Sequence, residues 1–203
     1  MPTDPAFRQS PSRGRCFVYV VPCAGEDLLK VGHSRDPLDR LQALHHRWFE
    51  WFDLDEAWLV ELDRVREASL LELSLRRGLA EHNAPAPLTV RREAAGHGEW
   101  FRGATAALAR ERERLRDEGH LLPVPARGWL AAALAARADR LHGWTEAMLD
   151  VDALDAPTDA TPASRIVRDV LDAHAALGID IEASLPPAVA RWRKKRGPAN
   201  GAP

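Results

Sequence analysis

The stretch "LLKVGHSRDPLDRL", residues 28–41, decides how the first half of the chain is read. It opens as a buried strand, Leu28 to Val31, with a lysine inside it. It then passes through Gly32, a polar His33-Ser34 pair, Arg35 and an Asp36-Pro37 break, and reaches Arg40. Upstream, "CFVYVV" (16–21) is β-branched and aromatic and stops at Pro22, and "PCAGED" is turn material. Two apolar runs joined by a short polar loop predict an antiparallel hairpin. Closing it with Val21 opposite Leu28 puts Tyr19 opposite Lys30. Directly opposed side chains share a face, with Cβ atoms about 4.5–5.5 Å apart.

Downstream of the break the pattern turns helical. Asp36 suits the cap, Pro37 the first helical position, and Asp39 the carboxylate position of a capping box. Leu38, Leu41, Leu44 and Trp48 form the apolar stripe, with Arg40 beside it in the first turn. "LDEAWLVEL" (54–62) predicts a third strand. A second helix is expected from about Arg66 to Glu81, ended by "HNAPAP". Its apolar face is Ala68, Leu71, Leu75 and Leu79, and Glu72 falls inside that face. A carboxylate there is costly unless it is paired or bound to a cation. "GEWFRG" (98–103) reads as a short strand, and "ATAALARERERLRDEG" as a third helix ending near Gly119. From Pro123 the chain shows only helical patterns and a cap-rich linker, "DVDALDAPTDATPAS".

The expected fold class is therefore α/β: a small, mainly antiparallel, three-stranded sheet flanked by helices, then an all-helical extension. The expected divisions are a loose polar tail at 1–14, an α/β domain at 15–120, a helical extension at 123–196 and a frayed end at 197–203. The 203 residues suffice for this.

Hydrophobic residues make up 45% and charged residues 29%, an ordinary globular balance. No apolar run approaches the roughly 20 residues that cross a bilayer, and the first residues lack the apolar segment of a signal peptide. Two cysteines, Cys16 and Cys23, do not make a disulfide framework. A cytoplasmic location with no membrane partner is expected. Basic and acidic residues nearly balance, 28 against 30, so nucleic-acid binding must come from a local patch. Arginine supplies almost all the positive charge. Lysine occurs only at Lys30, Lys194 and Lys195, which singles out Lys30.

The ordered set resembles the GIY-YIG nuclease superfamily. That family carries two tripeptides on adjacent strands, an arginine eight residues past the second glycine, and a metal-binding glutamate on a later helix. The corresponding residues here are Phe17-Val18-Tyr19, Lys30-Val31-Gly32, Arg40 and Glu72. Lysine in place of the second tyrosine, together with Glu99-Trp100-Phe101, is similar to a phage- and bacteria-type branch of that family. The resemblance covers roughly residues 15–105. It implies hydrolysis of a DNA phosphodiester with Mg2+ or Mn2+ on Glu72. Tyr19 would position or deprotonate the attacking water. A phenol ionises near ~10, so this requires positive charge beside it, which Lys30 would provide. Arg40 would hold the scissile phosphate. Gly32 would allow a phosphate or backbone to approach closely, and His33 would supply a further polar group. Arg35 and the run Arg191, Arg193, Lys194 and Lys195 are the candidate phosphate contacts, though the run fits a solvated basic terminus equally well. The sequence departs from the family at Leu44, where many members carry histidine or tyrosine one turn past the arginine, and it lacks a matching late asparagine.

Plainer readings stand beside these. Tyr19 fits an ordinary strand aromatic, and Lys30 an edge-strand guard against aggregation. Arg40 fits a surface residue, and Glu72 a partner for Arg76 or Arg77. The aromatic run at 45–58 fits core packing better than base stacking. Cys16, Cys23, His33 and His97 match no familiar zinc spacing. The main rivals to a DNA endonuclease are two. One is a catalytically weak module of the same fold that binds nucleic acid or, through the helical extension, a protein. The other is a helical interaction protein with an unrelated α/β head.

Overall fold

The structure is a computed structural model that describes residues 15–90, 92–96, 98–123, 125–150, 154 and 161–196. The tails at 1–14 and 197–203, and His97, lie outside the described residues. The chain divides into two compact units, 1–130 and 131–203.

The first unit is built on a five-stranded antiparallel sheet. Its strands are β1 (Cys16–Pro22), β2 (Leu29–Ser34), β3 (Trp58–Leu62), β4 (Asn83–Ala84) and β5 (Trp100–Phe101), in the order β3-β1-β2-β5-β4. The helices of this unit are α1 (Pro37–Leu44), α2 (Trp48–Trp51), α3 (Val65–Gly78), α4 (Arg92–Ala95) and α5 (Thr105–Asp117). The α/β class and the helical C-terminal part are as expected. Two strands are added to the anticipated three-stranded core: "GEWFRG" supplies β5, and "HNAPAP", read as a helix stop, also contributes the two-residue β4.

The hairpin register differs from the sequence expectation. Tyr19 lies opposite Gly32, and Lys30 opposite Val21. Pro22 does not end the pairing: it takes the last position of β1 opposite Leu29, and Cys23 N–H donates to Leu28 O at 2.8 Å. Proline is tolerated at that strand end. A shift of two residues preserves the faces, so Tyr19 and Lys30 still point to the same side.

That side carries Phe17, Tyr19, Val21, Lys30, Gly32, Leu59 and Trp100. α1 and α2 lie against it, reaching the sheet through Arg40 on Tyr19 and Trp51 edge-on to Trp100. The other side carries Cys16, Val18, Val20, Leu29, Val31, Trp58, Val60 and Phe101. These form one core with Ala68 and Leu75 of α3 and Leu108 and Leu115 of α5. Both sides are covered, so β1 is buried at every position but Pro22.

α1 starts as its sequence predicts: Asp36 Oδ1 accepts from Asp39 N–H at 3.2 Å, with Pro37 next. The apolar stripe is buried throughout, but it belongs to two helices, because α1 ends at Leu44 and Trp48 opens α2. α3 ends at Gly78, and a 3-10 turn at Ala80–His82 replaces its expected last turn.

In the C-terminal part the first helical pattern after Pro123 forms two helices. These are α6 (Ala126–Ala135) and α7 (Leu141–Met148), with Arg137 N–H bonding Leu134 O between them in a tighter turn. No glycine or proline marks that break in the sequence. α8 (Pro162–Ala176) is capped by Thr161, and α9 is Pro187–Arg196. Leu141, Val167, Leu171, Ile181, Val189 and Trp192 form the core of the second unit. No helix among the described residues is long and apolar enough to cross a membrane.

Candidate functional site

The site is built around Gly32. A Cβ on this residue would lie 2.3 Å from Tyr19 Oη and 2.5 Å from Tyr19 Cζ. The tyrosine ring therefore occupies the space that any side chain at position 32 would fill. This corrects the expectation that the glycine leaves room for a phosphate or backbone: the group that approaches is the phenol of the neighbouring strand.

Tyr19 is in turn bound to Arg40, whose Nε–H donates to Oη at 3.2 Å while Nη2 donates to Ala94 O at 2.9 Å. The first turn of α1 sets the direction of Arg40, and two acceptors fix its plane. Burial pushes the Tyr19 phenol up to about 12, despite the opposing pull of the Arg40 guanidinium. Desolvation disfavours the phenolate more than one cation restores it. Burial therefore works against the expected part of Tyr19 as a base.

Lys30 lies on a strand flanked on both sides and is fully buried, so the edge-strand reading fails. Its Nζ is 2.6 Å from Glu99 Oε2 and 5.1 Å from the centroid of the Trp100 ring. Burial lowers its pKa from the usual lysine value, and the hydrogen bond to Glu99 works against that fall. Lys30 is not directly opposite Tyr19 as the expected register required, and its ammonium pairs with a carboxylate. Trp100 and Phe101, expected as structural, are buried on opposite faces of β5.

His33 and Glu72 come from the other side of the sheet. Glu72 projects from α3 with its side chain 8% exposed; Oε2 meets His33 Nδ1, and Oε1 is 3.6 Å from Arg76 Nη1. A carboxylate this buried needs such partners. Arg76 Nε–H donates to Gly98 O at 3.0 Å. The residues from the two sides meet because β5 is short. It pairs with β2 only at Leu29 and Lys30, and Val31 N–H bonds Glu99 O at 3.0 Å. Beyond that point the chain preceding β5 turns away through Gly98 and Gly96, both at positive φ. The electrostatics agree, since Glu72 and Glu99 both act on Tyr19 and on Lys30.

Tyr19, Arg40, His33, Glu72, Lys30 and Glu99 thus gather at one place. Arg76 joins them; sequence reading treated it only as a plain partner for Glu72, though its position one turn past Glu72 was the available signal. Arg35 is exposed in the link to α1. Arg191, Arg193, Lys194 and Lys195 belong to the second unit. Arg191, Lys194 and Lys195 are exposed, while Arg193 is half-buried. Lys194 pairs with Glu182 at 2.5 Å.

Among the described residues no three or more His, Cys, Asp or Glu side chains cluster as a metal site, and Cys16 and Cys23 are separate buried thiols. The zinc arrangement has no counterpart there. With Glu99 paired to Lys30, what the site offers a hard cation is the carboxylate of Glu72. Mg2+ is commonly held by one or two carboxylates, waters and substrate phosphate oxygens, so this donor meets the minimal requirement.

Comparisons with curated proteins and with solved structures give no match. A family model does match, and it corrects the sequence reading, which placed the chain in the GIY-YIG nuclease superfamily. Residues 16–116, from the start of β1 to the last turn of α5, match the model of the T5orf172 domain, and this is the family to which that part of the chain is similar.

Proposed function

We propose that the chain hydrolyses phosphodiester bonds in DNA with Mg2+ or Mn2+, using the residues gathered at Gly32. The match to the T5orf172 domain is compatible with nucleic-acid binding. The observation that carries the reading is the pairing of oriented cations with one sheltered carboxylate. Arg40 is fixed by Tyr19 and Ala94 O, and Arg76 by Gly98 O, beside Glu72.

In this reading Arg40 and Arg76 bind the scissile phosphate and stabilise the charge that grows on it. Tyr19 stays protonated and aims Arg40. Lys30 does not reach the substrate; it acts through Glu99. Glu72 would hold the divalent ion, which supplies Lewis-acid polarisation and an activated water when bound. His33 orients the Glu72 carboxylate through Oε2. Arg35, Arg191, Arg193, Lys194 and Lys195 add exposed positive charge for the phosphate backbone.

A second reading has its own support. Both Glu72 oxygens already face partners, His33 and Arg76, so a cation competes with both, and burial works against Tyr19 as a base. The same cluster would then bind phosphate without cleaving. Plasmid nicking with Mg2+ or Mn2+, comparing the native chain with Glu72→Gln, separates the two. Metal-dependent nicking lost in the variant supports hydrolysis. A folded native chain that binds oligonucleotide and does not nick it supports the binding module.

A further inference from the structure

The ion pair Lys30–Glu99 has no direct place in the reaction proposed above, yet it occupies the middle of the site. Lys30 is one of the largest fully buried side chains of the protein, and its charge is met by Glu99 at 2.6 Å. Glu99 is also tied to β2 by its main chain, through Val31 N–H. Its carboxylate lies over Gly96: a Cβ there would come within 2.2 Å of Glu99 Oε2, and Gly96 has φ +70°. A side chain at 96 would therefore collide with the carboxylate and strain the backbone together.

The main chain on either side of Gly96 aims both arginines. Ala94 O accepts from Arg40 at 2.9 Å, and Gly98 O accepts from Arg76 at 3.0 Å. The two carbonyls come from the same short strap, but Arg40 rises from α1 on one side of the sheet and Arg76 from α3 on the other. Fixing the strap fixes both guanidiniums. A strap end anchored only by backbone hydrogen bonds at a short strand would fray. A buried ammonium that must keep its carboxylate gives that end a strong reason to stay docked, because parting the pair strands a charge in the core.

We propose that Lys30 and Glu99, with Gly96, are positioning residues: they hold the backbone at Ala94, Gly96 and Gly98 against β2, and the carbonyls of Ala94 and Gly98 orient Arg40 and Arg76 as a two-armed phosphate clamp. The clamp's use on a phosphate rests on the function proposed above; its assembly by the ion pair does not.

The test reads the arginines directly. In nitrogen–proton spectra of the full chain, the Arg40 Nη2 group, which donates to Ala94 O, and the Arg76 Nε–H, which donates to Gly98 O, are expected to give separate, slowly exchanging signals. Glu99→Ala is expected to speed exchange of both by tenfold or more. Glu99→Gln, which keeps an acceptor for Lys30, is expected to restore most of the protection. Should Glu99→Ala fail to fold, the double variant Lys30→Met with Glu99→Ala removes both charges. Loss of both signals in that folded variant supports the proposal. Protection unchanged in either folded variant overturns it, as does loss confined to one arginine.

A second readout uses a labelled oligonucleotide as probe. The double variant is expected to bind it as weakly as Arg40→Ala with Arg76→Ala, and combining all four changes should cost nothing further. The slope of log affinity against log salt should become shallower by about 0.9 for each phosphate no longer neutralised. Additive losses would overturn the proposal. A native chain that binds no oligonucleotide would instead remove the function proposed above and leave the spectroscopic result to decide the ion pair.

Discussion

Arg40 and Arg76 each donate to a backbone carbonyl, at 2.9 and 3.0 Å, and stand within a cluster whose other members are largely buried. The cations of α9 are arranged differently. Arg191, Lys194 and Lys195 are exposed, Lys194 meets an exposed Glu182, and Arg193 reaches Leu171 O at 3.4 Å. In the sequence the second region is the more conspicuous, since four of its residues in a row are basic. In the structure the first is the region whose cations are held in fixed directions. A charge whose direction is fixed in low-dielectric surroundings favours one geometry of its target, whereas solvated charges attract any polyanion and are screened by salt. The count of positive charges says little about which of the two regions performs chemistry.

The comparison predicts effects of very different size. Arg40→Ala should lower single-turnover cleavage by roughly 100- to 1,000-fold, the usual cost of removing one preorganised donor from a reacting centre. Replacing Arg191, Arg193, Lys194 and Lys195 together should leave that rate at saturation unchanged and should weaken binding in a salt-dependent way. A loss of rate in the α9 variant would reverse the assignment.

Tyr19→Phe removes the acceptor that fixes Arg40 while keeping the ring over Gly32. Hydrogen bonds to charged groups contribute about 1.5–3 kcal/mol, so a drop of roughly 10- to 100-fold in the same assay is expected. If Tyr19 were the base, the loss would match that of Arg40→Ala or exceed it.

Gly32→Ala should destabilise the fold by about 1–3 kcal/mol, the range for overpacking a core, because the new methyl needs the space that the phenol fills. Denaturant unfolding measures this. In the second unit, Lys194→Ala should change stability by less than about 1 kcal/mol, since both partners of its ion pair are exposed.

Much of this was legible in the residues. Short apolar runs bounded by polar or turn residues located β1, β2 and β3, Asp36-Pro37 located the start of α1, and the placement of Glu72 in an apolar helix face marked a carboxylate in need of partners. The register was not legible, because the sequence reading took Pro22 as a terminator, and a proline ends a strand only where its missing N–H is needed. The partner of Lys30 was not legible either. Glu99 lies 69 residues away, and only the docking of a two-residue strand brings it there. Nor did the sequence show that Tyr19 would be too buried to ionise: that depends on α1 closing over the sheet, a tertiary effect with no local signal. The family assignment failed for a related reason. Spacing of tyrosine, glycine, arginine and glutamate describes an arrangement, while the family model that matches, over residues 16–116, is that of the T5orf172 domain.

Alkali offers a direct probe of the account. A group whose folded-state pKa is raised stabilises the fold below its unfolded pKa, and that stability is lost as pH rises through the folded value. For Tyr19, raised from 10.0 to about 12, this amounts to on the order of 2–3 kcal/mol lost across that interval. Burial likewise raises the Cys23 thiol from 9.0 to about 12, so the decline should begin near pH 9.

Tyr19 is the only tyrosine in the chain, so tyrosinate absorbance reports on it alone. The central claim is that this residue is a neutral phenol held over Gly32 to aim Arg40. The measurement that tests it most directly is a spectrophotometric pH titration of the native chain, with circular dichroism followed in parallel. The account predicts no tyrosinate while the fold is intact up to pH 10, with ionisation near pH 12 or coincident with unfolding. Tyrosinate appearing at or below pH 10 in a chain whose dichroism is still native would contradict it and would return Tyr19 to the part of a base.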